Sequence, residues 1–128
     1  MKSFNFFELV GKTITATNVE HGDSAYTFTL SDGSVVSFEH DQDCCEHVRV
    51  YAVNGDPKQL LNKQIAFAEE DNPSDHPSVE GVSGSDSHTI TVFTLKAVDG
   101  SELEIVWLGE SNGYYDESVR VSIQKDTP

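Results

Sequence analysis

Two Asp-Gly-Ser turns, each set between segments that alternate apolar and polar residues, constrain the fold of this chain most strongly. In the first, residues 26–30 alternate before the turn. A three-residue loop with Gly33 in the left-handed conformation places Phe28 opposite Val36, so apolar residues share one face of a hairpin. A two-residue loop would instead place Thr29 opposite Val36 and mix the faces. The three-residue loop is therefore predicted.

The second turn favours the same register. A three-residue loop over residues 98–100 places Leu95 opposite Leu103 and Phe93 opposite Ile105, whereas a two-residue loop would bring a glutamate opposite Leu95. Opposed residues in antiparallel strands share a face, so the three-residue loop keeps each hairpin apolar on one side. Two half-buried hairpins of this kind predict a mainly β fold.

The order of sequence landmarks in the first part of the chain recurs in the second. The matching segments are 9–14 with 60–65, 32–34 with 99–101, and 46–50 with 117–121. Repeats of this kind indicate an internal duplication. The offset between matching segments grows along the chain, which places an insertion at residues 69–87. Its Asp, Glu, Ser, Gly and Pro content predicts a mobile acidic loop.

Each half begins with the signals of a short helix. Asn5 with Glu8 resembles a capping box, and Asp56-Pro57 places a cap before a proline. We predict one domain over residues 1–128, mainly β and α+β at the margin. It contains two tandem, pseudo-symmetric halves, 1–53 and 54–128. Each half is a short helix followed by a four-stranded antiparallel meander, and the halves pack as a sandwich or a partly closed barrel.

The charge balance limits the possible partners. The chain carries 8 Lys and Arg against 22 Asp and Glu, a formal net charge of −14. Such a surface repels nucleic acid and anionic membranes, so we predict no direct binding to either and expect a protein partner with a basic surface. No apolar run reaches the roughly 20 residues that span a bilayer, and the N-terminus lacks the apolar core of a signal peptide. A cytoplasmic protein with reduced thiols is expected.

Residues 40–47 hold the densest group of side chains that could bind a metal or act in catalysis. A zinc site there would use His40, Cys44, Cys45 and His47, and a thiol enzyme would use a cysteine beside a histidine. Adjacent cysteines in extended chain point to opposite sides, and neighbouring carboxylates raise the pKa of a thiol and suppress the thiolate. We therefore predict no catalytic residue, cofactor or metal, and keep a metal- or thiol-dependent site as an alternative.

In the proposed duplication, the cysteine loop corresponds to the loop that carries Tyr114 and Tyr115. Loops at equivalent ends of a β scaffold commonly bind partners, and tyrosine is enriched at interfaces. The candidate partner-binding residues are Asp41, Asp43, Cys44, Cys45, Glu46, Glu69, Glu70, Asp71, Glu110, Asn112, Tyr114, Tyr115 and Asp116.

Two strings, His40-x-Gln42-Asp43-Cys44-Cys45-Glu46 and the Gly-Glu-Ser-Asn-Gly-Tyr-Tyr of residues 109–115, resemble a family of short acidic proteins. It is an uncharacterised domain-of-unknown-function family of bacteriophages and bacteria. The resemblance implies a phage or prophage origin and, by analogy, an inhibitor of host machinery.

The expected function is therefore a non-enzymatic binding protein in the host cytoplasm. As a phage-type inhibitor, it would occupy a basic, nucleic-acid-binding surface of a host or defence protein. A small-ligand-sequestering protein stays open as an alternative, and an anionic nucleotide would require a local cluster of basic residues. No pattern in the sequence indicates the partner's identity or the oligomeric state.

Overall fold

A computed structural model of the chain describes residues 2–19, 22, 24–40, 46–73, 76–79, 87–111 and 117–125. The strands in these residues are β1 (Lys2–Ser3), β2 (Ile14–Thr17), β3 (Ala25–Leu30), β4 (Val35–Glu39), β5 (His47–Asn54), β6 (Ile65–Asp71), β7 (Ser87–Ala97), β8 (Glu102–Ser111) and β9 (Arg120–Gln124). They form two antiparallel sheets, with strand orders β1-β9-β4-β3-β2 and β5-β8-β7-β6. The mainly β prediction is confirmed.

Both hairpin registers are confirmed. Phe28 pairs with Val36 across β3 and β4, and Leu95 pairs with Leu103 across β7 and β8. Gly33 has a φ of 89°, the left-handed conformation that a three-residue loop of this type needs and that glycine adopts without a Cβ clash. Local alternation and turn chemistry were sufficient to determine these pairings.

The prediction of a four-stranded meander in each half is wrong. Strands β2, β3 and β4 form a meander, but β5 crosses to the other sheet and pairs with β8. Strands β6, β7 and β8 form the second meander, and β9 crosses back to pair with β4. The partly closed barrel is wrong as well, because each sheet ends in edge strands within the described chain. Alternation fixes which face of a strand is buried, not which strand lies beside it.

The predicted short helices are single 3-10 turns, Phe6–Leu9 and Pro57–Leu60. The backbone N–H of Asn5 donates to Glu8 Oε2 at 3.1 Å, and Asp56 Oδ1 accepts from the backbone N–H of Lys58 at 3.0 Å. The predicted caps thus form, although neither turn extends into an α-helix. No helix in the described residues has the length and apolar character needed to cross a membrane.

One core lies between the two sheets, so they pack as a sandwich. Phe38 of β4 stacks on Tyr26 of β3 with ring centroids 4.6 Å apart and meets Phe93 of β7 edge-on at 5.2 Å. The indole Nε1–H of Trp107 in β8 donates to the Tyr26 hydroxyl at 3.2 Å. Because aromatic rings of both sheets contact one another directly, the core couples the two sheets.

A second apolar cluster covers the outer face of the β5-β8-β7-β6 sheet. Val79 packs there with residues that include Val106 and Leu108. His76 Nε2 lies 3.1 Å from Glu104 Oε1 and holds this segment on the sheet. The prediction of an acidic loop over residues 69–87 is therefore wrong in part. Residues 69–71 belong to β6, and residues 76–79 pack against the sheet; the predicted mobility stays a prediction.

The β7–β8 turn gives a prediction about pH. A hydrogen bond from Lys63 Nζ, 2.5 Å from Asp99 Oδ2, lowers the pKa of Asp99 from 3.8 to about 2, and the backbone N–H of Ser101 assists. A carboxyl whose pKa falls on folding stabilises the fold above its unfolded pKa, and this contribution is lost as pH drops from 3.8 towards 2. We expect Lys63→Met to raise the NMR titration midpoint of Asp99 towards 3.8.

The matched control is Asp32 in the other hairpin turn. The pKa of Asp32 is lowered mainly by hydrogen bonds from Ser34, with a smaller effect of Lys12. Its titration should stay the same in Lys63→Met. If the Asp99 midpoint did not move in this variant, the ion pair would not be the cause of its low pKa.

Candidate functional site

Two connections cross from one sheet to the other, and they contain the loops singled out in the sequence. The first follows β4 and precedes β5; the second follows β8 and precedes β9. The predicted partner contacts Asp41, Asp43, Cys44, Cys45, Asn112, Tyr114, Tyr115 and Asp116 lie outside the described residues. The residues that flank both loops are described, and they determine where each loop leaves the sandwich.

A buried pair closes the first loop at its base. His40 Nε2 lies 3.2 Å from Glu46 Oε2, and the two side chains are 2% and 0% exposed. Within the described chain Nε2 makes no hydrogen bond, so the two side chains are in contact without hydrogen-bond alignment. The two residues flank positions 41–45, and their contact joins the two ends of this connection. Glu46, predicted as a partner contact, is thus buried at the base of the loop.

A second buried group closes the other loop. Glu117 Oε2 accepts a hydrogen bond from the Ser111 hydroxyl, and Glu117 Oε1 accepts one from the Thr89 hydroxyl at 2.7 Å. Ser111 ends β8 and Glu117 precedes β9, so this bond also spans one loop, while Thr89 ties it to β7. Both carboxylate oxygens are used, which satisfies the hydrogen bonding that a buried carboxylate requires.

One hydrogen bond joins the two loop bases. His40 Nδ1 lies 2.7 Å from the backbone oxygen of Ser118. Because a carbonyl can only accept, Nδ1 carries the hydrogen. The histidine therefore links the start of the cysteine loop to the end of the tyrosine loop.

Gly109 of β8 allows the base of the tyrosine loop to approach the sheet. A Cβ at this position would lie 2.8 Å from the carbonyl oxygen of Glu117 and 2.9 Å from its Cβ. Real Cβ atoms do not approach backbone atoms this closely, so any larger residue would push the chain at Glu117 away from β8. The absence of a side chain at Gly109 thus helps to set the position of Glu117.

We expect Gly109→Ala to lower the free energy of unfolding by about 1–3 kcal/mol, the usual cost of forcing extra volume into a packed site. Urea denaturation followed by tryptophan fluorescence measures it, because Trp107 is buried. The same variant should weaken the Thr89–Glu117 hydrogen bond, which hydroxyl-proton NMR can detect. An unchanged urea midpoint would contradict the close approach at this glycine.

The remaining predicted residues lie apart from the loop bases. Glu110 Oε1 forms an ion pair with Arg49 Nη1 at 2.6 Å, so its charge is compensated within the protein. Glu69, Glu70 and Asp71 are exposed on β6, the edge strand of the second sheet. Partial burial raises the pKa of Glu70. Among the described candidate residues, the exposed acidic ones therefore lie along β6.

The metal hypothesis finds no support among the described residues. His40 is turned towards Ser118 and Glu46, and His47 is exposed at the start of β5. In the described part of the chain, no three His, Cys, Asp or Glu side chains come together as metal ligands would. Cys44 and Cys45 lie outside it, so the metal- or thiol-dependent alternative stays a prediction.

Sequence reasoning did not assign roles to Ser111, Thr89 and Gly109. One signal could have found part of the arrangement. The offset of 71 that aligns Glu46 with Glu117 (117 − 46) also aligns His40 with Ser111 (111 − 40). Each carboxylate thus meets the residue six positions before it. The position of Thr89 in β7 depends on tertiary pairing and leaves no comparable signal.

Comparisons with known proteins bear on the family alone. Neither the curated proteins nor the solved structures give a match. A family described as a domain of unknown function, DUF7448, matches residues 7–121, which include both loops and all strands from β2 to β8. The resemblance to an uncharacterised family is therefore confirmed, while a phage origin stays a prediction. The chain belongs to the DUF7448 family.

Proposed function

We propose that this protein is a non-enzymatic acidic binding protein that presents residues 41–45 and 112–116, as one pair of loops, to a basic surface of another protein. One observation carries the proposal: buried polar groups bond together the residues that flank the two loops. His40 binds across to Ser118, and Glu117 binds Ser111 and Thr89. Rigid positioning of two neighbouring loops by a β scaffold is typical of binding proteins.

The same observation weakens an enzymatic role for the loop bases. His40 and Glu46 could act in acid–base chemistry, but their side chains are buried and face each other. The carboxylate of Glu117 is occupied by two hydroxyl donors. A general acid or base must reach the proton that it transfers in a bound substrate. Anchoring accounts for these groups without a substrate.

Charge supports a basic partner. The net charge of −14 gives the protein a long-range field that attracts positive surfaces and repels nucleic acid. Surfaces that bind nucleic acid carry large basic patches. We therefore propose that the protein acts as a phage-type inhibitor that occupies such a surface on a host or defence protein. Association should be fast and should weaken steeply as salt rises.

The test combines capture with matched charge variants. The protein, immobilised, should retain a partner from bacterial lysate in low salt and release it in high salt. Asp43→Lys should abolish capture, whereas Glu102→Lys, an equal charge change at an exposed position of β8, should preserve most of it. The captured partner should lose its binding to a DNA or RNA duplex. Capture that survives both high salt and Asp43→Lys would overturn the proposal.

We also infer that the two halves derive from one unit whose last strand was exchanged between them. Reciprocal hydrogen bonds support this: the N–H of Gly11 donates to the Ile65 carbonyl and that of Asn62 to the Ile14 carbonyl, each at 2.8 Å. The two pairs are related by the same offset, 62 − 11 = 65 − 14 = 51. Asn62 and Gly11 also both have positive φ angles. Under this proposal the two loops occupy equivalent positions.

Fragment complementation tests the exchange. A fragment of residues 1–53 has β5 without its partner β8, and a fragment of residues 54–128 has β9 without β4. Neither fragment alone should give a cooperative unfolding transition, and the two mixed should. A single half that folded as a stable monomer would contradict the exchange and favour the uncrossed meander.

A second candidate function, binding of a small anion, is favoured by one cavity. Three of the eight basic residues, Lys2, Lys12 and Lys125, line a cavity of about 260 Å³ together with Ser3 and Ser34. This is the local basic cluster that a nucleotide or other phosphate compound would require. Glu8 and Asp32 also line the cavity and oppose an anion.

A thermal-shift screen separates this candidate from the first. Nucleotides should raise the Tm of the protein, and the rise should disappear in Lys2→Met/Lys125→Met. Lys58→Met, outside the cavity, should keep the full rise. No rise with any nucleotide would remove the candidate and leave the protein-binding proposal unaffected.

A further inference from the structure

Strand β6 has one unpaired edge among the described residues. It is the last strand of the β5-β8-β7-β6 sheet and pairs along residues 67–71 with β7 alone. At its start the edge is already covered by the chain itself. The N–H of Gly11 donates to the Ile65 carbonyl, and the N–H of Ile65 donates to the Lys12 carbonyl, both at 2.8 Å. This edge thus accepts a neighbouring extended chain where one is present.

The register indicates which backbone groups remain available. Ala97 forms its hydrogen bonds with β8 at the hairpin turn. Hydrogen bonds alternate between the two sides of an antiparallel strand, so Thr94 directs its backbone groups to Glu69 of β6. Ala68 and Glu70 then direct their N–H and C=O groups away from β7. These groups could bind a further strand.

A groove with both polar and apolar lining lies beside this edge. It has a volume of about 340 Å³ and runs between the first 3-10 turn and β6. The lining residues are Asn5, Phe6, Phe7, Ala68, Glu69 and Glu70. Phe6 belongs to the core, but the Phe7 side chain is 63% exposed. In strand addition to a sheet edge, pockets beside the edge take alternate side chains of the peptide, and a groove lined by Phe7 is a candidate for such a pocket.

The charge along β6 selects among possible occupants. Glu69, Glu70 and Asp71 are consecutive and exposed. If a second copy paired with the same edge, these acids would lie opposite their counterparts and repel them. A segment with lysine or arginine would instead compensate them. Partial desolvation of the Glu70 carboxyl raises its pKa, so a cation beside this carboxyl would relieve part of the cost of keeping it ionised.

We propose that the β6 edge binds an extended lysine- or arginine-rich peptide segment, which adds to the sheet as a further strand and places an apolar side chain in the groove beside Phe7. Main-chain hydrogen bonds to Ala68 and Glu70 would give affinity, and the acids would give preference for basic sequences. This surface is separate from the paired loops and does not depend on them.

The other explanation for these acids is protection of the edge against aggregation, which many proteins achieve with charged residues. Protection would not require an exposed Phe7 or a groove beside the edge. The two explanations differ in what a basic peptide should do, so they can be separated by direct binding measurements.

The probe is a short, fluorescein-labelled, acetylated peptide of alternating lysine and valine, titrated with the full chain at low salt. Anisotropy should show saturable binding, and the amide hydrogens of Ala68 and Glu70 should exchange more slowly in the complex. A probe N-methylated at every residue cannot donate to the edge and should bind at least about tenfold more weakly. Equal binding of the methylated probe would overturn strand addition.

Matched variants locate the site. Glu70→Lys and Phe7→Ser should each weaken the lysine–valine probe about tenfold, and both positions are exposed, so folding should persist. Glu102→Lys makes the same charge change on another strand and should alter affinity by less than about twofold. Asp43→Lys, in the first loop, should behave like this control. Equal weakening by Glu70→Lys and Glu102→Lys, or no effect of Phe7→Ser, would overturn the proposed site.

Discussion

Phe38→Ala should lower the free energy of unfolding by about 3–5 kcal/mol, the cost of truncating a fully buried phenylalanine in a packed core. Phe38 is 0% exposed and lies where the two sheets meet. Its ring stacks on Tyr26 at 4.6 Å and contacts Phe6 edge-on at 5.9 Å and Phe93 at 5.2 Å. Truncation would therefore leave a cavity bordered by both sheets, and little backbone movement could fill it.

The matched control is Phe7→Ala, which removes the same atoms from an exposed side chain. It should cost less than about 0.5 kcal/mol, since surface substitutions away from special features have small effects. Urea denaturation of the two variants gives both values, with equal m-values as the check that the unfolded state is unchanged. Similar losses in the two variants would mean that Phe38 does not occupy the shared core.

The strands and hairpin registers could be predicted because the information is local. In β3 and β4, alternation and the position of Gly33 together permit one register that keeps Tyr26 and Phe28 on the same face as Phe38 and Val36. A shift of one residue would expose the whole apolar set, so the energetic penalty for an error is large. The same logic gave the β7–β8 register.

The neighbours of β5 and β9 could not be predicted in the same way. Val48 and Val50 indicate that alternate residues of β5 are buried, but β4 and β8 would bury them equally well. The choice depends on the paths of two crossing connections, which no local pattern specifies. One sequence pattern could have helped: residues 105–108 are continuously apolar, which is typical of a strand buried on both faces. In the structure, the segment that contains Val79 covers the outer face of this strand.

At the candidate site, the sequence identified the loops but not the roles of their flanking residues. In sequence, Glu46 is one of several acidic residues in the loop and cannot be distinguished from Asp41 and Asp43. The structure shows that its side chain is buried against His40. Burial of a carboxylate is decided by tertiary position, because an exposed and a buried glutamate look alike in sequence. The function of anchoring could therefore be recognised only from the structure.

Glu46→Ala should lower the free energy of unfolding by about 1–3 kcal/mol, because it leaves the buried imidazole of His40 without its neighbouring polar group. The control is Glu110→Ala, which breaks the partly exposed ion pair with Arg49 and should cost less than about 1 kcal/mol. Glu46→Ala should also make residues 41–45 more susceptible to limited proteolysis, since the contact between Glu46 and His40 is lost.

The double variant His40→Leu/Glu46→Leu distinguishes a specific pair from two independent side chains. Apolar replacement of a whole buried pair is often neutral, and the Ser118 carbonyl, at an exposed residue, can bind water instead of His40. We expect the double variant to be more stable than either single variant, with a coupling energy of about 2 kcal/mol in a double-mutant cycle. A double variant as unstable as the sum of the single losses would mean that His40 and Glu46 do not act together, and the first loop would then need a different anchor.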